Sequence, residues 1–291
     1  MAKIAICTSL YEAGRRFLPD FLTAFDGARR GTRHEIGLIA AIDDLREPER
    51  ALEGVESPVI VGAEPGSTVA DIRNAMLRGG LASNADALVF VDMDDRIAPG
   101  APDAYVEALR DAEIAFGDLQ PIDETGRPLG RCFFDGANVP AQVRGVEAIA
   151  ARNFLGFSNS GVRRAAIPDE AMHIPAGLVA CDWWFHSRLL MAGLSAACMP
   201  KVVADYRVYG GNTLGATPDP SPDATLRRCT IVLQHYASLP EHPAYVGRAD
   251  AVSRLGRKIE AEGTRLTDTL AAACAEPGVW FEDIARLVTR V

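Results

Sequence analysis

The stretch Asn84-Ala-Asp-Ala-Leu-Val-Phe-Val-Asp-Met-Asp-Asp-Arg96 decides how the chain is read. Five consecutive apolar residues, 87–91, lie between acids, and such a run fits a strand buried on both faces of a sheet. The run passes directly into Asp92, Met93, Asp94 and Asp95. In extended backbone alternate side chains share a face, so Asp92 and Asp94 are expected on one side and Met93 on the other. Carboxylates held that close repel unless a cation lies between them, and hard divalent cations favour such oxygens. The acids sit at the carboxyl end of a buried strand, the end at which open α/β sheets bind ligands. A metal or phosphate role is expected, set against one capping acid and two solvated ones.

Outward from this stretch, strands and helices alternate. Residues 3–8 read as a buried first strand, followed by a turn at Ser9-Leu-Tyr-Glu12 and a helix through 18–25. Residues 34–42 form a second strand ending in Asp43 and Asp44, and 58–61 a short third. Ser67 or Thr68 caps a helix with Asp71 in its first turn; it carries Ile72, Ala75, Met76 and Leu77, and also Arg73 and Asn74. Beyond the acids come a helix over 99–112 and a strand over 113–116. This alternation predicts a mostly parallel sheet covered by helices.

The pattern changes after Gly117. A hairpin is expected around 122–130 and a short helix over 145–153. Residues 154–164 mix aromatics with small polar residues, as a pocket wall does. A helix over 182–192 opens at Asp182 and closes at Gly193, and 195–209 is extended. Residues 210–223, dense in Gly, Pro, Ser and Asp, read as a mobile loop. Helices follow: 226–235, a long one over 249–273, and a last one over 280–287.

The 291 residues are 48% hydrophobic, enough to bury a sizeable core. A net charge of -9 argues against a nucleic-acid partner. Lysine occurs only at 3, 201 and 258, so nearly every basic residue is an arginine, the fork that suits phosphate and carboxylate. The six cysteines show no Cys-x-x-Cys spacing, and neither a signal-peptide core nor a long apolar run is present. A soluble cytoplasmic protein with free thiols is expected.

These elements together resemble the family 2-like glycosyltransferases of GT-A fold, which use nucleotide-diphosphate sugars. The resemblance covers residues 3–212 and rests on the first strand and turn, acids after strand two, Arg73-Asn74, Asp92-Met-Asp-Asp95, the segment ending in Arg163-Arg164, Asp182 and Tyr206-Arg207. It implies a Rossmann-like, mostly parallel mixed sheet flanked by helices, with a C-terminal helical extension. Residues 1–120 would bind the nucleotide sugar, 121–215 the acceptor, and 216–291 would form the extension. Asp94, with Asp92 assisting, would hold Mn²⁺ or Mg²⁺ against a UDP- or GDP-sugar. Asp95 would bond the ribose or a water.

Thr8, Ser9 and Glu12 would touch the nucleotide or cap the first helix, and Asp44 would meet base or ribose. Arg73 would reach a phosphate, Asn74 would tie its helix to the metal strand, and Arg207 would pair with the diphosphate. Asp182 would take the proton from a saccharide or other hydroxyl acceptor, although aspartate is equally a favoured helix-capping residue. Trp183 and Trp184 would stack on that acceptor or pack in the core. Where many relatives carry a histidine as further metal ligand, this chain has Tyr209. The loop 210–223 would order over the donor, and the tail helices would cover the acceptor side or form a homodimer. Two alternatives accompany this reading: a catalytically inactive GT-A-like binding or scaffold protein, and a nucleotidyltransferase of related fold.

Overall fold

The apolar runs form one mixed sheet, seen in a computed structural model that describes residues 1–62, 66–212 and 218–290. The first half contains β1 (Lys3–Leu10), α1 (Leu18–Arg30), β2 (Glu35–Ile42), α2 (Pro48–Ala51), β3 (Val59–Gly62), α3 (Val69–Ala82) and β4 (Ala87–Phe90). Then come β5 (Arg96–Ile97), α4 (Ala101–Ala108), β6 (Ile114–Ile122), β7 (Gln142–Val143) and β8 (Ser160–Arg163). The chain closes with α5 (Cys181–Met191), β9 (Ala196–Arg207), α6 (Pro222–Ala237), α7 (Arg248–Glu262), α8 (Thr267–Ala275) and α9 (Glu282–Arg290).

Strand order is β3-β2-β1-β4-β8-β6-β9-β5, with β7 beside β9. The pairs β3/β2, β2/β1, β1/β4 and β6/β9 are parallel, whereas β8 runs antiparallel to both β4 and β6. The period of two explains the continuous apolar runs. Ile4, Ile6, Ala87, Val89 and Val91 face one core, with α1 and α4 residues such as Phe21 and Tyr105. Ala5, Cys7, Leu88 and Phe90 face the other, with Met76, Phe157 and Phe185. Every position of such a strand is buried, so each must be apolar. Phe90→Ala would leave a cavity costing about 3–5 kcal/mol.

Local signals hold α3 in place. Thr68 Oγ1 accepts from the Asp71 amide and Asp71 Oδ2 accepts from the Thr68 amide, a reciprocal cap. At Gly80 an added Cβ would stand 2.7 Å from Leu88 Cδ1, so the absent side chain lets α3 close onto β4. The helix end and the strand carrying the acids are thus in direct contact.

Three expectations change. The acids do not continue the strand: the Asp95 amide donates to the Asp92 carbonyl at 3.0 Å, a turn that replaces alternation with convergence. The single helix over 249–273 is two helices, α7 and α8, separated by a 3₁₀ turn at Gly263–Arg265 that packs on Pro222. The last helix starts at Glu282 rather than Trp280, because Trp280 leaves the helical path to pair with Asn153.

The tail is an internal layer. Ile231 and Val232 of α6, Leu255 and Ile259 of α7, Leu270 of α8 and Ile284 and Leu287 of α9 join the same core as Trp183 and Phe185. Their apolar faces are spent inside the chain, so a homodimer through these helices would need other surface. No helix among the described residues is long and apolar enough to cross a membrane.

Candidate active site

A cavity of about 340 Å³ opens at the carboxyl ends of β1 and β4. The β4–β5 turn delivers Asp92, Asp94 and Asp95 to it, and the start of α5 delivers Cys181 and Asp182. Helix α3 contributes Arg73, the segment before β8 contributes Asn153, Gly156, Phe157 and Ser158, and the tail contributes Trp280 and Phe281. The segment expected to form a pocket wall does so.

Oxygens of Asp92, Asp94 and Asp95 lie within 4.8 Å of one another. Burial is the main cost of that arrangement, and mutual repulsion adds to it. Burial and then the Asp92 charge push the Asp94 carboxyl up to about 6, while the hydroxyls of Tyr209 and Tyr11 ease it. Burial, then Asp94 and Asp92, raise Asp95 well above the ordinary carboxylate range. Asp95 Oδ1 accepts from the Arg207 amide at 2.7 Å; Oδ2 is buried without a formed hydrogen bond. Hard oxygens packed this closely, one of them unsatisfied, match the donor set of Mn²⁺ or Mg²⁺.

Arg73 Nη1 stands 2.6 Å from Asp92 Oδ1, and its guanidinium lies over the Phe157 ring at 5.2 Å. It therefore compensates one carboxylate of the three. Asp182 also faces the cavity. Its Oδ1 accepts from the Trp183 amide at 2.7 Å and its Oδ2 from Asn153 Nδ2 at 3.4 Å. Burial pushes its carboxyl up to about 6 against the opposing pull of the Trp183 amide and Arg73. A carboxylate of that strength can hold and release a proton near neutral pH.

Several predicted residues stand elsewhere. Asp182 is the second residue of α5, after Cys181, so it does not cap the helix. Trp183 and Trp184 are buried core residues, 0% and 4% exposed, with indole N–H groups donating to Ile149 and Ser238 carbonyls. Neither faces the cavity, which removes them as acceptor platforms. Arg207 is wholly buried: Nε donates to the Asp94 carbonyl at 2.7 Å, Nη1 to the Glu124 carbonyl at 2.8 Å, and Nη2 to Asp20 Oδ2 at 2.9 Å. With its donors spent, Arg207 braces the aspartate turn and does not reach a diphosphate.

Asn74 ties α3 to the Ile174 backbone through two bonds of 2.9 Å, not to the metal strand. Asp44 is exposed and accepts from the Glu12 amide, while Glu12 itself is held by Arg15 and the Arg46 amide; the neighbouring Asp43 lines the cavity instead. Ser9 lines the cavity, and Thr8 is fully buried with no partner for its hydroxyl. Tyr209 bonds Tyr11 at 3.1 Å between hydroxyls, next to Asp94. Residues 210–212 and 218–223 of the expected donor-covering loop are described; the remainder lies outside the described residues.

No family model matches the sequence, and no curated protein matches it. Solved structures do match. Staphylococcus aureus TarS residues 1–349, in complex with UDP-GlcNAc, superposes with a TM-score of 0.57 at 13% identity, covering 91% of this chain and 75% of that one. The mannosyltransferase PcManGT from Pyrobaculum calidifontis, in complex with GDP-Man and Mn²⁺, gives 0.57 at 16% identity, covering 99% and 79%. The fold is GT-A, as the resemblance implied.

Proposed function

We propose that the chain is a metal-dependent glycosyltransferase that moves a sugar from a UDP- or GDP-sugar to a hydroxyl acceptor. The observation that carries this reading is the meeting of an under-compensated carboxylate cluster and a proton-accepting Asp182 on one cavity of a GT-A fold. Asp94, Asp92 and Asp95 would hold Mn²⁺ or Mg²⁺. Bound there, the ion would neutralise charge developing on the departing nucleoside diphosphate.

The protein's own groups do the rest. Ser9 and Asp43 line the cavity, where they would meet the nucleoside. Arg73 balances Asp92 and, released from it, offers two donors to a phosphate. Tyr11 and Tyr209 hold the Asp94 carboxylate in place. Asp182 removes the acceptor proton as the acceptor oxygen attacks the anomeric carbon, the geometry of an inverting transfer. Residues 1–120 thus serve the donor, 121–215 the acceptor, and 216–291 the far wall. The six free cysteines, four of them buried, support a reducing, cytoplasmic setting.

The test is a hydrolysis screen over UDP- and GDP-sugars with and without Mn²⁺, which needs no knowledge of the acceptor. Cation-dependent release of nucleoside diphosphate is expected from one donor, and loss of it in Asp94→Ala. Turnover like wild type in Asp94→Ala would remove the metal site; calorimetric silence toward every donor would leave a GT-A-like scaffold.

A further inference from the structure

Trp280 is the one tryptophan on the cavity, and the chain goes to some length to put it there. Its carbonyl accepts from the Asn153 amide at 2.9 Å, joining the tail to the segment that precedes β8. Next to it Glu282 accepts from Arg152 Nη1 at 2.6 Å and from the Val279 amide at 3.0 Å. Phe281 adopts φ 64, a left-handed conformation that costs a bulky residue about 1–3 kcal/mol. That bend stacks the Phe281 ring on Trp183, at 4.9 Å between centroids, while Phe281 and Trp280 both border the cavity.

The indole is braced by Phe133 at 4.5 Å and by Tyr206, itself on the cavity wall, at 5.9 Å between ring centroids. Its edge closes on Gly156, where an added Cβ would stand 2.7 Å from Cη2. It is therefore fixed in orientation yet only partly covered. An apolar ring left facing a cavity lined with aspartates gains nothing from its own protein there; it needs an apolar surface brought by a ligand. Asn153 places it: the same residue pairs with the Trp280 backbone and donates to Asp182 Oδ2.

We propose that Trp280 is the platform for the acceptor, and that the acceptor is a pyranose whose C–H face stacks on the indole while a hydroxyl reaches Asp182. This rests on the glycosyltransferase reading for the word acceptor. It adds a substrate class and a specificity-determining residue supplied by the helical tail.

The test uses the full chain as wild type, Trp280→Leu and Trp280→Phe. Nucleoside diphosphate release is measured with Mn²⁺ and the donor the wild type hydrolyses. Methyl pyranosides and disaccharides are added as acceptors, and acyclic polyols as hydroxyl donors that cannot stack. A pyranoside should accelerate release by the wild type. In Trp280→Leu that accelerated release should fall at least tenfold further than hydrolysis does, through KM for the saccharide. Trp280→Phe, which keeps an aromatic ring against Phe133, should recover part of it. Where the wild type hydrolyses a donor, equal acceleration in all three proteins overturns the proposal, as does acceleration by polyols alone.

Tryptophan emission gives an arm independent of the donor, since Trp183 and Trp184 are sealed in the core. A pyranoside-dependent change present in the wild type and lost in Trp280→Phe upholds the platform even if no nucleotide sugar is turned over. That last result would sink the glycosyltransferase reading alone. No emission change at any pyranoside would sink the platform.

Discussion

The chain buries aspartates in two places, and treats them differently. In the tail Asp283, 4% exposed, faces Arg228 Nε at 2.8 Å, and Arg228 also donates to Thr225 Oγ1 at 3.2 Å. Charge is matched by charge and the site is closed. At the end of β4, Asp92, Asp94 and Asp95 share one ion-pairing arginine side chain, Arg73, between three carboxylates, and Asp94 and Asp95 sit raised above their ordinary range. The first arrangement holds two elements together. The second holds charge that folding alone does not require, which is how a ligand site differs from a structural pair.

The comparison breaks most sharply at Asp94. Asp94→Asn should lower donor turnover by about 10³–10⁴-fold, if cation stabilisation is worth several kcal/mol. Its thermal midpoint should hold or rise, because a repelled, desolvated carboxylate is gone. A fall in midpoint with turnover intact would make the cluster structural.

Asp182→Asn should cost about 10²–10⁴-fold in transfer, the usual share of a general base. In the wild type transfer should rise with pH through about 6, where the Asp182 carboxyl ionises, and fall away below it. The stability consequence has the opposite sense. A folded-state pKa above the unfolded value favours the protonated fold, so Asp182 and Asp94 lend stability below about pH 4 that is lost as pH rises through about 6. A pH–rate profile and denaturant melts from pH 4 to 8 measure both.

The tail pair sits on the other side of the comparison. Asp283→Ala strands the Arg228 cation and should cost about 3–5 kcal/mol of stability, read by urea unfolding. Folded protein below its midpoint should keep wild-type turnover. The smallest effect expected is from the ion itself. At about a hundredfold excess over Kd, Mn²⁺ should add about 2.7 kcal/mol to the wild type and nothing to Asp94→Asn. Scanning calorimetry reads this as a rise in Tm.

How much of this was legible in the sequence follows from what each signal measures. The run 87–91 identified a doubly buried strand because its two cores demand apolar residues at both parities. Thr68 and Asp71 announced a helix start through purely local bonds. The wall over 154–164 was read from its composition, whereas Asp182 as a base came from the resemblance to the GT-A family. The meeting of Asp92 and Asp94 was predicted by alternation and is achieved by a turn, which also brings in Asp95, a residue alternation would have sent to the other face.

Other residues were misplaced for related reasons. The resemblance offered Arg207 as a diphosphate partner, whereas its backbone and side chain are consumed by Asp20, Asp94 and Asp95. For Trp183 and Trp184 the sequence left two readings, stacking on the acceptor and packing in the core, and the core is where they lie. Successive helical residues point about 100° apart, so adjacency to a site residue says little about facing it. Trp280 was passed over because nothing local marks a partner as distant in sequence as Asn153. A solitary tryptophan behind Pro277-Gly278, where a helix should be gathering, was the trace it left.

The Asn153–Trp280 pairing has a bearing on biosynthesis. Residues 3–207 leave the ribosome first and can complete the sheet and the aspartate turn on their own schedule. The far wall arrives only with the strand-like step before α9, more than seventy residues after β9 is complete. A nascent chain would therefore carry an open, water-filled trough beside Asp182, and would acquire a shaped binding chamber only once residue 280 had folded back onto Asn153.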